Sequence, residues 1–450
     1  MIKAAALLSA GWLGLALPAA AELIVRPQIV RPLPGGLDSV LMVNDNNPEL
    51  IKDDGILLST FPESGEASIP TPLDGRFDLF SHHVYAGDEE ASPKSTLWLA
   101  VLVQPLGEDP VTLTLLEGST SLSQATEKGQ TQAPFLPLPP LMRESGAVIA
   151  AGPGSRVAGD LLAGRRAHEL ERSSWTLAPG HPSKILQLPI PVAGLDPLLN
   201  GRNLQLRLQS SAPVAIATLA AHGENNSPPT DRQWQSLLTS GSLSSKEHSP
   251  TPRGSRGNII YSRVSGVQIG RSWQGRLTDP DSTVLSIPTE PISWPISSLE
   301  RGTLATGQVQ TAELTNFYPG TAWAAHGNYG VEYDLTLPLK NTTTTTAQLE
   351  LSLDSPLKGN DNLQSLRFRS DLNGPVMFRG PIQVSGLSDP DGSPLGRHTA
   401  HLVLRQGQMG PPLGQVILKP GEEKEVRIRL IYPADATPPQ VLTVQPVKQS

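Results

Sequence analysis

A histidine set among aromatic and amide side chains is the arrangement in this chain best suited to chemistry. His326 lies in the run Ala325-His-Gly-Asn-Tyr-Gly-Val331, with Trp323, Asn328 and Tyr329 close by. The two aromatic residues offer flat apolar faces, the amide offers a donor and an acceptor, and an imidazole titrates near neutral pH. Gly327 and Gly330 permit close backbone approach or a left-handed conformation. Such a set would stack on and hydrogen-bond a small polar ligand; a Gly-Asn-Tyr-Gly hairpin turn is the alternative reading. His82-His83 forms the second candidate, at the end of a strand-like run and near Asp74, Asp78, Asp88 and Glu89. Neighbours on a strand face opposite ways, so one site takes at most one of the two. A packed, hydrogen-bonded histidine is the competing explanation there.

Other pairings are weaker. His398 and His401 share a face only on a helix, and Thr399 to Leu404 reads as a strand, which argues against metal binding. Asp279-Pro-Asp281 and Asp389-Pro-Asp-Gly392 resemble calcium loops crudely, but the residues that follow lack the further oxygen ligands such a loop needs. Ser355-Pro-Leu-Lys358 has the spacing of a serine–lysine acylase motif, with a proline ill suited to the helix start that chemistry uses. No nucleophile elbow, phosphate loop or dinucleotide fingerprint occurs. The sequence thus assigns no catalytic residue, no metal ligand and no cofactor. Cys 0 removes thiol catalysis, disulfides and cysteine-ligated metals together.

The elements that must hold these residues are strands. Leu204, Leu206 and Leu208 alternate with polar residues, as do Leu349, Leu351 and Leu353, Val426, Ile428 and Leu430, and Val111, Leu113 and Leu115. A period of two predicts half-buried strands, whereas the continuous runs Leu97 to Val103 and Val214 to Ala220 predict strands buried on both faces. Turn signals such as Asn373-Gly374, Asp391-Gly392 and Pro420-Gly421 separate them. Two short helices are expected. One is capped by Thr230 or Asp231 and ended by Gly241, and the other spans Asp160 to Arg172. Ser119 to Gln132 reads as a long loop. The fold class is therefore mainly β, with antiparallel sandwich-like domains and few short helices.

Pro 44 and Gly 41 in 450 residues fit short strands and many turns, and the length exceeds a usual single core. The polar stretch 242–258 is the expected linker, between an N-terminal β-rich domain (22–241) and an immunoglobulin-like C-terminal sandwich (259–450). Lys3, the apolar run from Ala4 to Leu17, Pro18 and the Ala19–Ala21 triplet have the layout of a secretory signal peptide over residues 1–21, cleaved before Glu22. No later apolar run reaches transmembrane length, so no transmembrane segment is expected in the mature chain. With a net charge of −7 and no basic block, nucleic acid is not an expected partner.

Several blocks carry a resemblance. Gly55-Ile-Leu-Leu-Ser-Thr-Phe61, Gly75-Arg-Phe-Asp-Leu-Phe-Ser-His-His83, Ala325 to Val331, Arg31-Pro-Leu-Pro-Gly-Gly-Leu37 and Gly257 to Gly266 are similar to segments of a cyanobacterial family of exported proteins. That family is catalogued as domain of unknown function 3370. The resemblance spans nearly the whole mature chain. It implies an exported protein and carries over no chemistry.

The expected function is a non-enzymatic structural or binding component of the periplasm, outer surface or secreted fraction. The rival expectation is a secreted hydrolase acting on envelope glycans or peptides. Glycan hydrolysis generally requires two carboxylates held roughly 5–10 Å apart, and no feature marks such a pair. No motif specifies an oligomeric state.

Overall fold

The computed structural model describes residues 22–89, 92–127, 130–132, 152–323, 326–359 and 363–447. The expected signal peptide, residues 1–21, lies outside the described residues. Two large sheets, of ten and twelve strands, carry the fold, and most neighbouring strands run antiparallel. Parallel pairings are local; the longest joins Leu41–Leu50 to Leu73–Ala86.

The ten-stranded sheet is organised by one 24-residue strand, Leu199–His222. Its first half pairs with Leu73–Ala86 on one side and Val111–Leu122 on the other. Past Ser210 the register breaks, and the second half pairs with Thr96–Pro105 and Gly55–Ser59. Pro213 sits in the break, where a residue without an N–H costs no ladder bond. Val214, Ile216, Leu219 and Ala220 are fully buried there, as the continuous apolar run predicts.

The twelve-stranded sheet curls around the largest core, whose members include Leu349, Leu351, Leu353, Val426, Ile428 and Leu430. These are the alternating positions of the sequence pattern, all turned inward. Arg427, between two of them, reaches solvent and pairs with Asp334.

Strands cross the polar stretch 242–258 in both directions. Val264–Ile269 and Leu314–Phe317 extend the ten-stranded sheet beside Leu41–Leu50. Conversely, Leu23–Pro27 pairs with Ser365–Arg369, and Gly36–Leu37 adds to the strand Ser272–Arg276 of the other sheet. Neither sheet is built from one side of that stretch alone. Part of it is packed: Ser244 is buried, and Asp53 accepts from the Ser245 amide at 2.8 Å.

The helix Asp231–Ser240 matches the sequence signal. Thr230 and Gln233 form a reciprocal capping box, Trp234 is fully buried, and Gly241 closes the helix in the left-handed region. The other helix differs from expectation. It spans Pro153–Leu162, followed by a short turn at His168–Leu170 rather than a continuation to Arg172. Pro153 at the first turn starts it, and Gly164 at φ +65 ends the run. The stretch from Ser119, expected as loop, is strand through Leu122. Among the described residues no helix is long and apolar enough to cross a membrane.

The two sheets meet across charge. Gln205 and Arg207 project from the polar side of Leu199–His222, yet both are buried. Arg207 donates to Glu332 at 2.7 Å and to Glu117 at 2.6 Å, and Arg429 donates to the other Glu332 oxygen at 2.6 Å. Gln205 donates to the Gly330 carbonyl at 2.7 Å. The expectation of a half-buried strand at Leu204 to Leu208 is corrected here. Its polar face meets the second sheet instead of water.

Candidate functional site

His326 sits where three loops converge beside the strand Leu314–Phe317. Its ring is buried, and Nε2–H donates to the Ala312 carbonyl at 2.6 Å. Burial pushes its pKa down to about 4, with the Ala312 bond opposing and Arg253 adding to the fall. The imidazole is therefore neutral at ordinary pH, and the Nε2–H tautomer leaves Nδ1 as an acceptor. That nitrogen has no hydrogen-bond partner.

The residue borders a cavity of about 640 Å³. Trp323 stands on the same wall, edge-on to His326 at 5.7 Å between ring centroids and to Phe317 at 5.2 Å. The facing wall is the loop through Arg253 and Tyr261, and Arg301, Val309 and Lys358 complete the lining from separate stretches. The loop is tied at its base, where the Thr251 amide donates to the Ile260 carbonyl at 3.1 Å and the Ile260 amide to the Thr251 hydroxyl at 2.7 Å. Gly254 and Gly257 take positive φ at its tip, with open space where a side chain would stand.

Asn328 and Tyr329, predicted beside His326, turn the other way. Asn328 is fully buried: Nδ2 donates to Gln310 O at 2.7 Å and to the Tyr333 hydroxyl at 2.8 Å, and Oδ1 accepts from the Ala312 amide at 2.9 Å. It thus fixes the segment that carries Ala312, just before the strand Leu314–Phe317, which in turn fixes His326. Tyr329 packs on the large core, 5.7 Å from the Tyr432 ring, and burial raises its pKa. Val331 donates to the Asn328 carbonyl at 3.0 Å and Gly330 takes φ +79, so the run is also a turn.

His82 and His83 lie in the ten-stranded sheet, opposite each other across the strand Leu73–Ala86. His83 is fully buried and donates from Nε2 to Asp45 Oδ2 at 2.8 Å; Thr218 donates to the same oxygen at 2.6 Å. Burial favours the neutral acid at Asp45, but His83, Thr218 and Arg263 outweigh it and hold the carboxyl low. The carboxylate stands between the hydroxyl and the imidazole, so the imidazole does not face the hydroxyl. With Asp45, His83 and Thr218 all buried, the cluster ties strands together. His82 is kept neutral by burial, its pKa lowered to about 4.

The weaker motifs also resolve. His401 is buried with its pKa lowered to about 4 by burial, while His398 meets the Leu413 carbonyl at 3.2 Å. Asp279 and Asp389 accept backbone N–H groups of Ser286 and Ser393, both at 2.8 Å, as turn residues. Ser355 is buried in a bridge to Gln408 and heads no helix. No group of three or more metal-ligating side chains occurs among the described residues.

Sequence reasoning missed Arg253, Tyr261, Arg301 and Val309 as partners of His326, and took Lys358 only as part of a serine–lysine motif. They come from loops, and loops carry no periodic signal. The proximity of Trp323 to His326 was the one part of the cavity written locally.

The sequence model of the family described as "Protein of unknown function (DUF3370)" matches residues 28–446. No curated protein matches. Among solved structures, the N-terminal tandem CBM22-1–CBM22-2 domain of Xyn10C from Paenibacillus barcinonensis is 11% identical, over 88% of this chain and 99% of that one, with a TM-score of 0.14. The coconut allergen cocosin is 10% identical, over 88% of this chain and 85% of that one, with a TM-score of 0.10. Scores this low bear on neither the fold nor the site.

Proposed function

The chain belongs to the DUF3370 family of proteins of unknown function, and we propose that it is a non-enzymatic binding protein acting outside the cytoplasm. The observation that carries the binding role is the cavity of about 640 Å³ beside Trp323 and His326. Ligand pockets are typically concave, of roughly 300–1,000 Å³, with aromatic walls and a few converging polar groups. This cavity is bordered by polar residues from four separated stretches, Arg253, Arg301, His326 and Lys358. The N-terminal sequence, with its signal-peptide layout, supports export to the envelope or medium. Binding is favoured over hydrolysis because the carboxylates on the lining, Glu300 and Glu313, are both exposed and Arg253 holds Glu313 at 3.3 Å. A catalytic acid is usually buried or crowded enough to keep its proton.

A panel of small flat probes tests the binding role: benzyl alcohol, phenylacetate, phenyl phosphate and benzylamine, read by quenching of tryptophan fluorescence. At least one should bind saturably, and Trp323→Ala should abolish that binding. Failure of the whole panel would overturn the pocket as a binding site. N-terminal sequencing of protein from the periplasm or medium tests export, with Glu22 the expected first residue; Met1 retained on a cytoplasmic product contradicts it.

A further inference from the structure

The charges around this cavity are unevenly committed. Arg253 is held twice, by Glu313 at 3.3 Å and by the face of Trp323, with its guanidinium carbon 4.2 Å from the ring centroid. Arg301 donates to the Gly257 carbonyl and meets no carboxylate among the described residues. The Lys358 ammonium has neither a hydrogen-bond nor an ion-pair partner among them. Partial loss of water alone holds its pKa below the ordinary lysine value. Among the described residues, Glu300 is the one lining carboxylate without a cation. Among the described residues, two cations without a carboxylate partner therefore share the lining with one carboxylate without a cation.

Neutral His326 adds no charge to that excess. Large apolar side chains are meanwhile left to water at the same place: Tyr261 is 50% exposed and Val309 48%. Exposed apolar side chains clustered around a concavity mark a surface awaiting a partner. A surface this small, broken by charge, suits a small molecule better than a second protein.

The geometry points to an organic anion as the occupant, a carboxylate or phosphate carried on a flat apolar body. The anion meets Lys358 and Arg301, and the body lies against Trp323 and Tyr261. Arg301 supplies a planar fork that matches either oxyanion, while Lys358 acts as a point charge. This assignment rests on the binding role proposed for the cavity.

The probe panel, titrated at low ionic strength where exposed charges act most strongly, tests the charge preference. Phenylacetate, phenyl phosphate or both should bind at least about tenfold more tightly than benzyl alcohol, and added salt should erode the margin. Whichever anion binds better identifies the oxyanion. The double change Lys358→Met and Arg301→Met should remove the margin while leaving benzyl alcohol unaffected, and Glu300→Gln should widen it. Should the double variant melt early, Lys358→Met alone, at an exposed side chain, carries the same test. Anions binding no better than benzyl alcohol, or benzylamine binding best, overturns the anion while the pocket stands. No binding by any probe overturns both.

Discussion

Arg207 and Arg301 carry the same guanidinium into opposite surroundings. Arg207 lies in the seam between the sheets, where Glu117, Glu332 and Asp78 stand around it and its side chain is 8% exposed. Arg301 stands at the mouth of the cavity, hydrogen-bonded to a single backbone carbonyl. In the seam, every cation brought out of water has been given an anion, because an unpaired buried charge is severely penalised. At the cavity, water tolerates charges that nothing opposes, and those charges stay available to a ligand. The seam's charges position elements of the fold, and the cavity's are placed to meet something else.

The largest expected effect lies in the seam. Glu332→Ala would take from buried Arg207 and half-buried Arg429 the carboxylate they share. It should cost about 3–5 kcal/mol of stability, read from the urea midpoint at unchanged slope. A loss below about 1 kcal/mol would mean that water already reaches these charges.

Titration offers a sharper contrast, since the same physical cause acts with opposite sign in the two regions. Burial penalises charge, so it raises Asp78 in the seam to about 7 and lowers His326 at the cavity to about 4. Unfolded histidine binds its proton near 6.5, so between pH 6.5 and 4 the unfolded state holds more protons at His326. Stability from this residue is complete above 6.5 and is lost as pH falls through that window. Replacing it by His326→Gln should reduce the loss across the window by about 3 kcal/mol. At Asp78 the folded state holds the extra proton between about pH 4 and 7, so stability falls as pH rises there. Asp78→Asn should abolish that fall. Identical pH slopes for the two variants would contradict burial as the common cause.

Asn328→Ala comes next, behind the cavity wall. It removes one acceptor and two donated bonds in a fully buried place, and should cost about 2 kcal/mol by denaturation. A change near zero would mean that the wall carrying Ala312 and His326 is held by packing alone. The smallest effect belongs to Arg253→Ala. Its pair with Glu313 is exposed on both sides and should be worth no more than about 1 kcal/mol. A larger loss would make Arg253 a structural tie of the loop instead of part of its lining.

The two regions also differ in how far the sequence reveals them. Leu349, Leu351 and Leu353 alternate with polar residues and point into a core, and Thr230, Trp234 and Gly241 write out a helix from cap to stop. Leu204, Leu206 and Leu208 show the same alternation, but Gln205 and Arg207 on the other face meet a second sheet. Periodicity records polarity and not the presence of water, so a buried ionic seam looks like a solvated face. The cavity is less legible still. Trp323 and His326 are near neighbours in the chain, while Arg253, Arg301 and Lys358 join them only through the course of three loops. Asn328 and Tyr329 share the local run and face away, because the turn at Gly330 directs the backbone into the core.

The division between structural and available charge is tested most directly by the melting temperature of the protein carrying Lys358→Met and Arg301→Met together, with and without phenyl phosphate and phenylacetate. Without probe, the double variant should melt within about 1 °C of the unsubstituted protein. The upward shift that an anion gives the unsubstituted protein by binding its folded state should fall to the shift that benzyl alcohol gives. A double variant that melts far below the unsubstituted protein, or that keeps the full shift, would contradict the account.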